Sequence, residues 1–115
     1  VAAALAAFRD GIRVAPRRPS LWSDLGVALE RSYDPWGAEE AYREALRLDP
    51  RFALAHTNLG FALRMQGRYA DATAAFRAAL ALEPSNAAAR AGLGYCLRVL
   101  RGAVPEAPPP RPVDR

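Results

Sequence analysis

Residues 52–84 read FALAHTNLGFALRMQGRYADATAAFRAALALEP, and the same chemistry stands 34 residues earlier in the chain. Leu59 answers to Leu25, Gly60 to Gly26 and Leu63 to Leu29. Further on, Ala72 answers to Ala38, Phe76 to Tyr42, Ala79 to Ala45, Leu80 to Leu46 and Pro84 to Pro50. Shifted forward by the same step, the first half of the pattern returns as Leu93, Gly94 and Leu97. A fixed period of this length marks a repeat array, in which each unit leaves a face bare until a neighbour stacks on it.

The unit itself is helical. In Val1 to Val14, Ala4, Phe8, Gly11 and Ile12 share one face by i, i+4, i+7, i+8 spacing. Pro16 and Pro19 bracket a turn, and a second helix is predicted from about Ser20 to Ser32 with Trp22, Leu25, Gly26 and Leu29 inward. Asp34-Pro35 is a helix start, Asp as N-cap and Pro at the first helical position, for a third helix ending near Leu48. A fourth runs from about Ala53 to Gln66 and stops at Gly67, a C-terminal capping glycine. A fifth spans Tyr69 to Leu82. A sixth, capped by Ser85-Asn86, spans Ala87 to Arg101 and stops at Gly102. No segment alternates as a half-buried strand does, so the fold class is all-α. A mid-helix glycine costs about 0.5–1 kcal/mol, so its return at 26, 60 and 94 calls for a packing reason. Small residues let helix axes approach, and the bulk of Trp22, Tyr42, Phe76, Leu29 and Leu63 fills the adjoining space.

With these residues in place the pattern resembles the tetratricopeptide repeat (TPR), whose unit carries Trp, Leu-Gly and Tyr in its first helix, Ala, Phe and Ala in its second, and a closing Pro. The resemblance implies an antiparallel helix-pair array, a right-handed superhelical solenoid of about six helices. It divides the chain into residues 1–16 (second helix of a partial repeat), 19–52 and 53–86 (full repeats), and 87–102 (first helix of a partial or capping repeat). His56 and Arg90 replace the Trp, and leucines replace the first-helix Tyr. Residues 103–115 hold five of the ten prolines and read as a disordered proline-rich tail or linker.

Composition narrows the chemistry. All 16 cations are arginine and the net charge is +4, but the arginines are interspersed with acids, so the chain lacks the dense basic stripe of a nucleic-acid surface. The longest apolar run, Val1 to Phe8, is too short to span a bilayer. The expectation is no nucleic-acid or membrane partner, with a cytoplasmic setting favoured. No catalytic set emerges. His56 stands where the repeat wants a Trp and reads as packing, without companions at metal-ligand spacing. Cys96 reads as a buried thiol, some 40 residues from that histidine. Glu39-Glu40 reads as outward, solvated charge. No enzyme activity, metal or cofactor is expected.

What remains is surface. The resemblance implies that first helices line a concave groove, and the positions it turns inward yield the candidate site: Val27, Glu30, Leu54, Thr57, Asn58, Phe61, Arg64, Tyr95 and Arg98. Two rows of 34-residue period stand out, an apolar one (Val27, Phe61, Tyr95) and a polar one (Glu30, Arg64, Arg98). Phe61 and Tyr95 are expected to grip a side chain or helix of a protein or peptide partner, and Arg64 and Arg98 to pair with an acidic group. The alternative at these positions is plain packing of the aromatics and service of the arginines to their helix dipoles. The carboxylate clamp of chaperone adaptors is not expected, since its positions read Ser23, Val27, Asn58, Ala88 and Gly92, of which Asn58 alone agrees. Other expectations are a non-catalytic segment of a larger enzyme, such as a glycosyltransferase, that presents substrate, or a scaffold that self-associates through uncapped ends.

Overall fold

A computed structural model describes residues 2–14 and 17–102, apart from the side chains of residues 2–4 and 8. The expectations placed on Ala4, Phe8 and Pro16, and on the proline-rich segment 103–115, lie outside the described residues. Six helices follow one another: α1 (Ala2–Val14), α2 (Pro19–Arg31), α3 (Pro35–Leu48), α4 (Ala53–Met65), α5 (Tyr69–Leu82) and α6 (Ala87–Leu100). There is no strand among the described residues. Each helix begins and ends within a residue of its expected limit.

The ends follow from local chemistry. The Asp34 carboxylate accepts the Gly37 amide at 3.0 Å, ahead of Pro35 at the first helical position. Asn86 caps α6 by accepting the Ala89 amide at 3.0 Å. At the far ends of α2 and α4 the same double lock appears. Asp34 N donates to Leu29 O and Tyr33 N to Glu30 O, as Arg68 N donates to Leu63 O and Gly67 N to Arg64 O. This lock needs a left-handed residue at its hinge. Gly67 meets the requirement at φ 78°, whereas Tyr33 is forced to φ 62° with its ring 85% exposed.

The helices pair in sequence, α2 with α3 and α4 with α5, and each pair stacks on the next. The first helices also touch one another, α2 with α4 and α4 with α6, while α3 and α5 do not meet. The first helices therefore form the inner layer and the second helices fan out behind them.

Two fully buried rings anchor the stack, Tyr42 from α3 and Phe76 from α5. A Cβ on Gly26 would clash with the Tyr42 ring at Cε1, Cδ1 and Cζ, and one on Gly60 would stand 2.5 Å from Phe76 Cε1. The expectation for Gly94 is corrected. It is only half-buried, and the nearest atom to its Cβ position is Arg98 Nη1 of its own helix at 3.6 Å. No ring from a following second helix reaches it among the described residues. The glycine of α6 that does press on a ring is Gly92, where a Cβ would clash with the same Phe76 ring at Cζ, Cε1 and Cε2.

Two further expectations change. Glu39 is not solvated charge: its side chain is 14% exposed and ties successive units together. Its Oε1 accepts from Gln66 Nε2 at 2.9 Å and Arg68 Nη1 at 2.8 Å, and its Oε2 from Arg43 Nε at 2.9 Å. His56, expected to pack, also fastens a loop, with Nε2 2.9 Å from the Pro50 carbonyl oxygen. Arg90 does the same one unit later, donating to Pro84 O at 2.9 Å.

Burial works against the Glu39 charge, but the hydrogen bonds from Gln66 and Arg43 and the charges of Arg68 and Arg43 outweigh it and hold its pKa below the ordinary value. A depressed carboxylate contributes stability above its unfolded pKa and loses it as pH falls through the folded one. Glu39→Gln is therefore expected to cost about 1 kcal/mol at neutral pH. The gap from the parent chain should close below about pH 4, read by denaturant melts across the acid range.

Two substitutions at equivalent positions should move stability in opposite directions. Gly60→Ala must displace the Phe76 ring and should destabilise by about 1–3 kcal/mol. Gly94→Ala meets only the Arg98 side chain of its own helix at ordinary contact distance and should stabilise by about 0.5–1 kcal/mol through helix propensity. Thermal melts followed by circular dichroism read both. In the same assay Tyr33→Gly should raise the melting temperature, by relieving about 1 kcal/mol of left-handed strain.

Candidate functional site

The inner faces of α2, α4 and α6 place the candidate residues along one side of the array. Val27, Phe61 and Tyr95 are half-buried, seated against the core with their outer parts accessible. Phe61 meets Phe76 edge to face, centroids 5.0 Å apart at 73°. Tyr95 leans on Tyr69 of α5 at 6.3 Å, a neighbour the repeat pattern does not flag. The aromatics thus pack and remain reachable at once.

Arg64 lies between these two rings. Its guanidinium carbon is 5.4 Å from the Phe61 centroid and 5.0 Å from that of Tyr95, and Arg98 covers Tyr95 from 6.0 Å. Each arginine occupies the last turn of its helix, where a cation suits the dipole. Neither forms an ion pair with a described residue. A guanidinium held by its faces keeps its in-plane N–H donors free for a planar acceptor such as a carboxylate.

The other candidates separate. Leu54 is 56% exposed at the start of α4. Asn58 is half-buried, and its amide forms no hydrogen bond with any described residue. Thr57 is corrected: it is 3% exposed, its hydroxyl donating to Ala53 O at 3.2 Å and accepting from Asn86 Nδ2 at 3.0 Å. The capping asparagine of α6 roofs it over, so it joins successive units instead of facing outward. Two clamp positions close in the same manner, Ser23 at 2% exposure and Gly92 beneath Phe76.

Glu30 differs from its register partners. It is half-buried, and its Oε1 is shielded from solvent beside the Tyr42 hydroxyl, with no hydrogen bond of good geometry closed at either atom. Burial pushes the Glu30 carboxyl above the ordinary range, and the nearby tyrosine hydroxyl only partly offsets this. Burial and the adjacent carboxylate together drive the Tyr42 hydroxyl up as well. The Cys96 thiol is fully buried, and that burial raises its pKa against the pull of Arg64, which disfavours the nucleophilic thiolate. No group of three or more His, Cys, Asp or Glu residues able to hold a metal occurs among the described residues.

Tetratricopeptide repeat models match residues 1–51 and 53–86, and a TPR repeat model matches residues 37–67 between them. The chain belongs to the tetratricopeptide repeat family. Solved TPR domains share its all-helical solenoid. The first TPR of Spaghetti (RPAP3) bound to HSP90 peptide SRMEEVD superposes with a TM-score of 0.82 at 23% identity, over 84% of this chain and 79% of that one. The Arabidopsis OM64 TPR domain gives 0.81 at 23%, over 83% and 78%. The Sgt2 TPR domain from Aspergillus fumigatus gives 0.82 at 25%, over 96% and 75%. No curated protein sequence matches the chain. No described helix of this TPR array is long and apolar enough to cross a membrane.

Proposed function

We propose that this TPR array is a protein-interaction module, without catalysis of its own, that docks a peptide or helix of a partner along its inner face. Phe61 and Tyr95 grip an apolar side chain. Arg64 and Arg98 pair with an acidic group, and the free amide of Asn58 holds backbone. The observation that carries this reading is the placement of Arg64 between two half-exposed rings with no ion pair to any carboxylate among the described residues. Charged donors of this kind gain most when an acceptor arrives in a partly desolvated site. The peptide bound by the first TPR of Spaghetti, SRMEEVD, contains the acidic chemistry that such arginines take, and it supports a peptide as the class of partner.

A second reading rests on α6. At Gly94 that helix presents the hollow which Gly26 and Gly60 fill with a ring, and Leu100 at the end of the same helix is 53% exposed. A helix laid there, from further repeats or from a second copy, would extend the array and leave the inner face as it is.

The first reading is tested by Phe61→Ala combined with Arg64→Glu. Neither side chain plugs a glycine hollow, so helicity by circular dichroism should be kept, while capture of partners by the immobilised chain should be abolished. A double variant that captures the same proteins as the parent would remove Phe61 and Arg64 from the site.

A further inference from the structure

The polar row of the groove changes sign along its length. Glu30, Arg64 and Arg98 occupy one register position on α2, α4 and α6, and none of them is ion-paired with a described residue. The arginines sit comfortably, each in a last helical turn and stacked on an aromatic ring. Glu30 does not. It is a carboxylate in the last turn of α2, at the end of a helix where negative charge is unfavourable. Part of it is withdrawn from water with Oε1 shielded, and no cation among the described residues forms an ion pair with it.

The neighbouring Tyr42 does not account for this cost. One hydroxyl can donate a single hydrogen bond and cannot neutralise a charge. The second unit makes the same joint without either polar group, since Phe76 fills the hollow at Gly60 and Arg64 stands at the position of Glu30. Packing therefore requires neither the carboxylate nor the hydroxyl. A cationic side chain arriving from outside would relieve the missing counter-charge and the unfavourable helix end together.

We propose that Glu30 seats a lysine or arginine side chain of the docked segment, so that the groove accepts a peptide basic at its first-repeat end and acidic where it meets Arg64 and Arg98. This rests on the groove reading above and adds to it a polarity and an orientation. The bound segment is dipolar in sequence, and reversing its charge order sets like charges against like at both ends.

The test is a displayed random-peptide library selected on the intact chain and on Glu30→Gln, an isosteric change that keeps a hydrogen-bonding side chain beside Tyr42. The parent chain should enrich peptides with Lys or Arg at one end and Asp or Glu at the other. Glu30→Gln should lose the basic preference and keep the acidic one. It should bind a selected lysine peptide about tenfold more weakly than the parent, while the lysine-to-norleucine analogue binds both chains alike. Glu30→Gln should also melt at a higher temperature, since the buried charge is gone. Acidic enrichment on the parent without a basic preference, or a basic preference that survives in Glu30→Gln, overturns the assignment and leaves the groove standing. A lower melting temperature for Glu30→Gln shows the carboxylate to be structural and overturns it too. A parent chain that enriches nothing removes the groove reading, and this inference with it.

Discussion

An aromatic ring laid flat against a backbone that has no side chain is the contact on which the rest of the array depends. Tyr42 and Phe76 are fully buried because Gly26, Gly60 and Gly92 leave them room, and the helix axes draw together to that depth. In a close-packed interior such a joint is intolerant of even one added methyl group. Phe76 takes part in two joints, with the helix before it in the same unit and with the first helix of the next. The same ring therefore sets the spacing within a repeat and between repeats. It also fixes how far apart Phe61 and Tyr95 stand, and hence where Arg64 can lie between them.

The proposed groove takes its chemistry from positions that this joint leaves free. Residues one turn from the glycines carry charge, and none of Glu30, Arg64 and Arg98 forms an ion pair with a described residue. Elsewhere the polar groups are used up internally: Glu39 by three donors, Thr57 by Asn86, Asp34 by the start of α3. The contrast between satisfied polar groups at the seams and unpaired ones on the inner face separates the residues that hold the array from those proposed to meet a partner.

Much of the architecture could be read from residue order. The repeat period, the helix starts at Asp34-Pro35 and Asn86 and the stop at Gly67 rest on local chemistry, which acts within a few residues and is visible in the chain. Gly94 shows where that logic ends. Its register matches Gly26 and Gly60, but a hollow is filled only if a ring arrives from another helix, and periodicity says nothing of what packs there. Gly92 takes that role by a contact made across the seam between units, and the seam obeys no simple spacing. Thr57, Glu39 and the half-buried state of Glu30 escaped for the same reason. Each depends on a residue 12 or more positions away, such as Asn86, Gln66, Arg68 or Tyr42. Phe61 and Tyr95 were legible as one row and Arg64 and Arg98 as another, because the period alone aligns each pair.

The inner helices touch along the array while α3 and α5 stay apart. Mechanically this resembles the ribs of a fan joined at their base, with resistance to bending concentrated in the glycine–ring joints and little of it on the outer rim. Curling or flattening such an object slides few outer side chains past each other, so its curvature is its softest coordinate. A guest lying along the inside, as proposed, would bridge several ribs at once, and stiffening of the whole stack would follow from its length as much as from any one contact it makes.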